Sequence, residues 1–309
     1  MNMQAIGKKI SALRKKHDMT QVDLADKLGV TYQAVSSWER GNSMPDIAKL
    51  SDISQVLAVS IDELLDNAKA TEIVKNVLSG NDSSPIVPNL ETLVDVAPIL
   101  KPSQVNTLAK QSGSAMQETK IALNGDMLAQ LSEYIDSESL KEIILQCDDI
   151  ENSTIVRIAC HMESEDLKEV ALHCKNIDKA IITEIACYME SEDLKEVILR
   201  CENIDGDTIA DIACHMESED LKEVILHCNN IDYAIITEIA CYMESEDLKE
   251  VILRCENIDG DTIADIACHM ESEDLKEIVL HCKDIDKKTL IAIASHMDSE
   301  DLVEIIKRT

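Results

Sequence analysis

SEDLKEVILRCENIDGDTIADIACHME fills residues 191–217 and returns, letter for letter, at 245–271. The motif SEDL starts at Ser164, Ser191, Ser218, Ser245, Ser272 and Ser299, always 27 residues apart, and a variant, SESL, starts one step earlier at Ser137. Units 164–190 and 218–244 differ only at Ala171/Ile225, Lys175/Asn229 and Lys179/Tyr233, so the larger duplicated block is 54 residues. A fixed period in this range marks a stacked array of supersecondary units, each unable to bury its apolar face alone.

Each unit reads as two short helices. In 191–217, Ser191 is the expected N-cap, its hydroxyl accepting from free backbone N–H groups. Glu192 and Asp193 follow, where a helix dipole favours negative charge. Leu194, Val197, Ile198 and Cys201 then fall on one helical face. Asn203 and Asp205 break the helix around an inward Ile204, and Asp205 caps a second helix carrying Ile209, Ile212, Ala213 and Met216. The expectation is an all-α fold whose body is an α-solenoid of two-helix repeats, HEAT-like in general form. The 27-residue step is shorter than the roughly 34 of tetratricopeptide or 40–47 of HEAT repeats. No named repeat family is recognised in it. Weaker copies extend upstream: 125–136 follows the second-helix pattern, and 89–111 fits helix, plug, cap and helix, with Ser103 as the cap and Pro98 ending the first helix early. A degenerate capping end before residue 137 is expected, with 112–124 fitting poorly.

Composition supports helices. The chain of 309 residues has no Phe, one Trp and five Tyr, so Ile, Leu, Val, Ala, Met and Cys must form its core. Its net charge is −31, unevenly placed: residues 1–132 hold 13 Lys+Arg and 15 Asp+Glu, residues 133–309 hold 16 and 45. Two regions with different jobs follow. The first residues lack the apolar run of a signal peptide, and no stretch approaches the roughly 18 apolar residues of a membrane span. A cytoplasmic protein without membrane contact is expected, its 11 cysteines as thiols.

Six cysteines lie on first helices (147, 174, 201, 228, 255, 282) and five on second helices (160, 187, 214, 241, 268). Cys201 continues the Leu194 face and reads as core. Cys214, one turn after Ala210, reads as a small flank residue that lets the next helix approach. Adjacent Cys–His pairs such as Cys214–His215 point about 100° apart on a helix, a poor chelate. Packing is therefore the expected role of the thiols, with no metal and no cofactor; a redox or metal role is the other assignment.

The N-terminal part differs. Residues 6–65 read IGKKISALRKKHDMTQVDLADKLGVTYQAVSSWERGNSMPDIAKLSDISQVLAVSIDELL. Ile6, Ile10 and Leu13 form a stripe flanked by lysines and Arg14. Thr20 caps a second helix carrying Val22, Leu24, Ala25 and Leu28. Gly29 makes a tight turn, Thr31 caps a third helix to Arg40, and Gly41 ends it. Two short helices about a glycine-containing turn form the helix-turn-helix pattern.

On the stretches TQVDLADKLGV, TYQAVSSWERG and VSIDELL, this segment resembles the XRE/Cro-type, phage-repressor-like helix-turn-helix family. The resemblance covers about 60 residues and does not enter the repeats. It implies a five-helix lambda-repressor-like domain whose third helix enters the major groove. It places Tyr32, Gln33, Ser36 and Ser37 where base-reading side chains stand, and Gln33 suits a bidentate pair with adenine. Thr20, Gln21, Arg40, Asn42 and Ser43 take phosphate-contact places. Arg14 and Glu39 match an internal ion pair, and Ala34, Val35 and Trp38 match core positions. For Tyr32 and Ser37 the plain alternative is exposed surface without base contact.

The expected organisation is a DNA-binding domain at 1–67, a helical linker and loop at 68–85 with a helix from Ala68 to Leu78, and a repeat array at 86–309. Residues 1–66 hold 8 basic and 9 acidic residues, so one head alone should bind DNA weakly. A homodimer on a palindromic double-stranded operator is expected. No P-loop, GxGxxG, HExxH or nucleophile motif occurs, and no enzymatic activity is expected. Unit 191–217 has 8 acidic and 2 basic residues, a surface that repels DNA and attracts a basic peptide or protein. The leading function is a transcriptional regulator whose array receives an effector peptide or partner; in architecture alone it is similar to peptide-responsive regulators of Gram-positive bacteria. The alternative is a scaffold or DNA-mimic decoy that captures a basic protein.

Overall fold

Capping residues and glycines divide the head into five helices in the computed structural model: α1 Met3–Lys16, α2 Gln21–Leu28, α3 Tyr32–Arg40, α4 Ile47–Val56 and α5 Ile61–Leu65. The structure describes residues 3–79, 88–119, 125–147, 150–174, 177–201, 204–228, 232–254, 258–282 and 285–308. All regular elements among them are helical. They group into two compact units, Met1–Met162 and Glu163–Thr309.

In the first unit, α1 packs on α3 and α5, and α2 packs on α3 and α4. The stretch expected as a linker helix is α6, Ala68–Ser79, which buries Ala70, Thr71, Ile73 and Val74 and packs against α4 and α5. Of the loop expected at 79–85, Ser79 is instead the last residue of α6, and 80–85 lie outside the described residues. Next come α7 Leu90–Val96, α8 Pro102–Thr119, α9 Gly125–Leu131, α10 Ser137–Leu145 and α11 Asn152–Ala159. Their packing is already repeat-like: α7, α9 and α11 stack in one layer, while α8 packs on α10 in another. Pro98 sits in a 3-10 turn directly after α7, as expected. Ser103 does not cap α8. That helix starts at Pro102, and the Gln104 side chain accepts from the Lys101 N–H instead.

The second unit continues with α12 Ser164–His173, α13 Lys179–Ile185, α14 Ser191–Arg200, α15 Gly206–Ile212, α16 Ser218–His227, α17 Tyr233–Ile239, α18 Ser245–Arg254, α19 Gly260–Ile266, α20 Ser272–His281, α21 Lys287–Ile293 and α22 Ser299–Arg308. Even-numbered helices stack on even, and α13, α15, α17, α19 and α21 stack in their own row. This is the two-layer stack of 27-residue units read from the sequence. Leu194, Val197 and Ile198, with Ile209, Ile212 and Met216, are buried. Asp205 caps α15, accepting from the Thr208 N–H at 3.1 Å.

Ser191 is the first helical residue of α14 rather than its N-cap; Glu190 holds the cap position and makes no side-chain capping bond. Cys201 is not a core residue of the helix: it follows α14 with extended backbone (φ −81°, ψ 126°) and is half-buried. Cys214 does not lie on a helix flank. α15 ends at Ile212, a 3-10 turn covers Ala213–His215, and Cys214 is exposed there. The same holds for Cys187, Cys241 and Cys268.

The Ser191 hydroxyl instead joins neighbouring units. It donates to Asp220 Oδ2 at 2.5 Å and accepts the Glu217 N–H at 2.7 Å. Lys195 adds its ammonium to Asp220 Oδ1 at 2.6 Å and to Glu223 at 3.1 Å. Ser164, Ser218, Ser245 and Ser272 repeat the clamp on Asp193, Asp247, Asp274 and Asp301. Lys168, Lys222, Lys249 and Lys276 repeat the ammonium contact. Burial pushes the carboxyls of Asp193, Asp247 and Asp274 up, but bonds from lysine and serine outweigh it and hold them below the usual range.

Candidate nucleic-acid interface

The helix-turn-helix is set by short-range chemistry. The Thr20 hydroxyl accepts the Asp23 N–H at 3.1 Å while Asp23 accepts the Thr20 N–H at 2.7 Å, a reciprocal capping box that starts α2. Gly29 ends α2 at φ 64°, a left-handed conformation that costs glycine no Cβ clash. Thr31 then caps α3 through the Ala34 N–H, and Gly41 ends it. Lys49 donates to the Leu28 carbonyl at 2.8 Å and to Asp52, so it secures the end of α2.

One polar cluster holds α3 against α1. Arg14 and Glu39 pair at 2.5 Å with side chains 9% and 6% exposed. Glu39 also accepts from Ser11 and Gln21, each at 2.9 Å, and Arg14 donates to the Met19 carbonyl. Burial alone pushes the Glu39 carboxyl up, yet the bonds from Arg14, Gln21 and Ser11 leave it below its ordinary value. The hydrogen bond to Glu39 raises the Arg14 guanidinium further. Beside this cluster, Val35 and Trp38 bury the inner face of α3, while Ala34 is half-buried. Gly7 of α1 lets the two helices touch: a Cβ there would lie 2.1 Å from the Trp38 carbonyl oxygen.

With its inner face fixed, α3 turns Tyr32 and Gln33 outward, Tyr32 being 52% exposed. Ser36 and Ser37 are half-exposed one turn on, and Ser37 accepts from the Ser43 hydroxyl at 2.8 Å. Arg40 and Asn42 are exposed at the helix end. Thr20 is exposed, whereas the Gln21 amide is turned to Glu39. The structure thus brings Gln21, Arg14 and Glu39 into one cluster, ties Ser43 to Ser37, and lines Tyr32, Gln33 and Ser36 along the open side of α3. Val22, expected in the apolar stripe of α2, is 52% exposed; Leu24, Ala25 and Leu28 alone turn inward. Lys8, Lys15 and Lys16 of α1 are exposed and supply positive charge, with Lys9 half-exposed.

Among the described residues no group of three or more His, Cys, Asp or Glu is arranged to hold a metal ion. No described helix is long and apolar enough to cross a membrane. None of the ten described cysteines is joined in a disulfide, and Cys255 lies outside the described residues. Burial pushes the thiols of Cys201, Cys228 and Cys282 up.

The helix-turn-helix family model matches residues 10–64. An uncharacterized HTH-type transcriptional regulator of Bacillus subtilis, YqaE, is 46% identical over 52 residues, which are 17% of this chain and 45% of YqaE. The chain therefore spans under half the length of that relative. A second B. subtilis protein described in the same words, YazB, is 38% identical over 64 residues, covering 21% of this chain and 93% of YazB. Among solved structures, ComR from Streptococcus suis aligns over 100% of this chain and 94% of its own at 12% identity, with a TM-score of 0.20, too low to carry any inference. The head matches YazB over nearly its whole length, with the capping box, both glycine turns and the buried Arg14–Glu39 pair in place; through residues 10–64 the chain belongs to the XRE/Cro-type, phage-repressor-like family of helix-turn-helix regulators.

Proposed function

We propose that the chain is a sequence-specific DNA-binding transcriptional regulator, without enzymatic activity, working in the cytoplasm. The head finds a double-stranded operator, and the acidic array binds a basic effector peptide or partner protein. The observation that carries the reading is the outward row on α3. Tyr32, Gln33 and Ser36 are held open to solvent by a helix whose other side is locked through Glu39 and Trp38. Tyr32, Gln33, Ser36 and Ser37 would read bases, and Arg40, Asn42 and Ser43 would contact phosphate. Thr20 would do the same from the start of α2, joined by Gln21 if its amide leaves Glu39.

Charge supports the division of labour. In unit 191–217 Glu192, Asp207, Asp211 and Glu217 remain exposed, while Asp193 and Asp205 are used in a clamp and a cap. That surface repels phosphate and suits a basic ligand. The near-neutral head binds one half-site weakly, so a homodimer on a palindrome gives the needed affinity. In vitro selection of bound duplexes by the full chain tests this: a shared inverted-repeat sequence is expected, and no enriched sequence overturns it.

The acidity of the array also favours a second reading, a scaffold or DNA-mimic decoy that captures a basic protein. Operator affinity separates the two. A regulator changes it when the basic ligand is added, and a scaffold leaves it unchanged.

A further inference from the structure

The lysine that joins each unit to the next recurs at 168, 195, 222, 249 and 276, but the following place, 303, is valine. Val303 is 47% exposed. Ile306 continues the series Ile198, Ile225, Ile252 and Val279, all at most 4% exposed, yet is itself 60% exposed. On α21, Ile291 replaces the Thr or Ala of positions 183, 210, 237 and 264 and is 77% exposed. Beside it, Ala292 replaces the acidic residue found at 184, 211, 238 and 265. Residues 285–309 hold four Lys+Arg and five Asp+Glu, against two and eight in 191–217. The α21–α22 end is thus apolar and near neutral on an otherwise strongly acidic array.

We propose that a second copy of this chain docks on this face, the same patch meeting itself about a two-fold axis. The residues that depart from the repeat select this occupant. A further SEDL-type helix would bury its aspartate against Val303 and lose its lysine, which is costly for a half-buried carboxylate. A basic peptide finds fewer carboxylates here than on other units. Two chains of net charge −31 repel each other over the array and least where the acids are thinned. An apolar face thinned of like charge fits an isologous contact, in which each copy presents the same patch. The proposal rests on the dimeric regulator above and adds where its copies meet.

The test is sedimentation equilibrium of the full chain beside Val303→Lys and Ile291→Thr. Each variant restores a residue the array carries at equivalent positions, so folding is preserved, and circular dichroism checks it. A wild-type dimer whose dissociation constant rises at least tenfold in each variant is expected. A monomeric wild type, or variants that dimerise as tightly as wild type, overturns the proposal. Operator binding is measured in parallel. Loss of dimer with half-site binding kept supports both readings. A dimer disrupted by these variants in a chain that binds no DNA supports the face and sinks the regulator.

Discussion

Ser191 and Asp220 stand 29 residues apart, and the serine hydroxyl donates to the carboxylate at 2.5 Å while accepting the Glu217 N–H at 2.7 Å. One hydroxyl therefore links three points: its own helix, the next helix start and the next unit's aspartate. Ser191→Ala leaves the N–H and one lone pair of a half-buried carboxylate short of partners. A loss of about 1–2 kcal/mol is expected in urea unfolding. Ser191→Ala with Ser245→Ala should lose close to the sum, since the rungs are separated by a full unit. A change below about 0.3 kcal/mol would show that the clamp is incidental.

The rungs also set a pH dependence. Asp193, Asp247 and Asp274 have folded pKa values below their ordinary 3.8, so the folded state holds fewer protons than the unfolded chain as acid is added. Their contribution is complete above 3.8 and disappears as pH falls through the depressed values. Lys168, Lys249 and Lys276 have raised values, so their contribution is complete below 10.5 and disappears above it. Helicity followed from pH 7 downward should collapse only below the ordinary aspartate range. Asp247→Asn should make that acid transition shallower, and an unchanged profile would discount the rungs.

Gly7→Ala tests the seating of α3. The added methyl would meet the Trp38 carbonyl at 2.1 Å, and that oxygen belongs to helix backbone, so the helices must part. About 1–3 kcal/mol of stability is expected to be lost. Because α3 carries the outward row, operator affinity should fall even where the head remains folded. Thermal melts of the full chain with a fluorescence anisotropy titration would check both, and wild-type behaviour in each would refute the close contact.

The legible parts of this fold are those built within one turn of helix. The Thr20 and Thr31 caps, the Gly29 and Gly41 ends and the Asp205 cap each involve residues at most five positions apart, and all stand where the sequence places them. The Arg14–Glu39 pair came through family resemblance, since no local pattern joins residues 25 apart. The Ser–Asp–Lys rungs were missed for the same reason. SED reads locally as a capped, acidic helix start, and only the stacking shows that serine and aspartate serve neighbouring units. The reading of Cys214 failed differently. It extended a 3.6-residue period past Ile212, where a 3-10 turn changes the angular step and swings the thiol outward.

That turn makes a prediction of its own. Cys160, Cys187, Cys214, Cys241 and Cys268 are exposed, whereas Cys201, Cys228 and Cys282 are half-buried with thiols pushed up by burial. Alkylation depends on access and on thiolate fraction, and burial lowers both for Cys201, Cys228 and Cys282. Timed iodoacetamide labelling with peptide mass spectrometry should mark the five exposed cysteines first. Cys214→Ser should change stability by less than about 0.5 kcal/mol, as surface substitutions do. Labelling at equal rates would contradict the outward placement of these five thiols.

The two halves of the proposed interface should fail in different ways. Gln33 is exposed on α3 and suited to one base pair, so Gln33→Ala should cost about 1–3 kcal/mol on the preferred operator and little on a duplex altered at that pair. Arg40 lies exposed at the end of the same helix, in a phosphate-contact place. Arg40→Ala should weaken all duplexes alike and lower the slope of log K against log salt by about 1 for each half-site. Titrations of both variants on matched and altered duplexes at several salt concentrations separate the roles. If Gln33→Ala weakened every duplex equally while Arg40→Ala changed base preference, the assignments on α3 would be reversed. If neither variant changed binding, another surface of the head would have to meet the DNA.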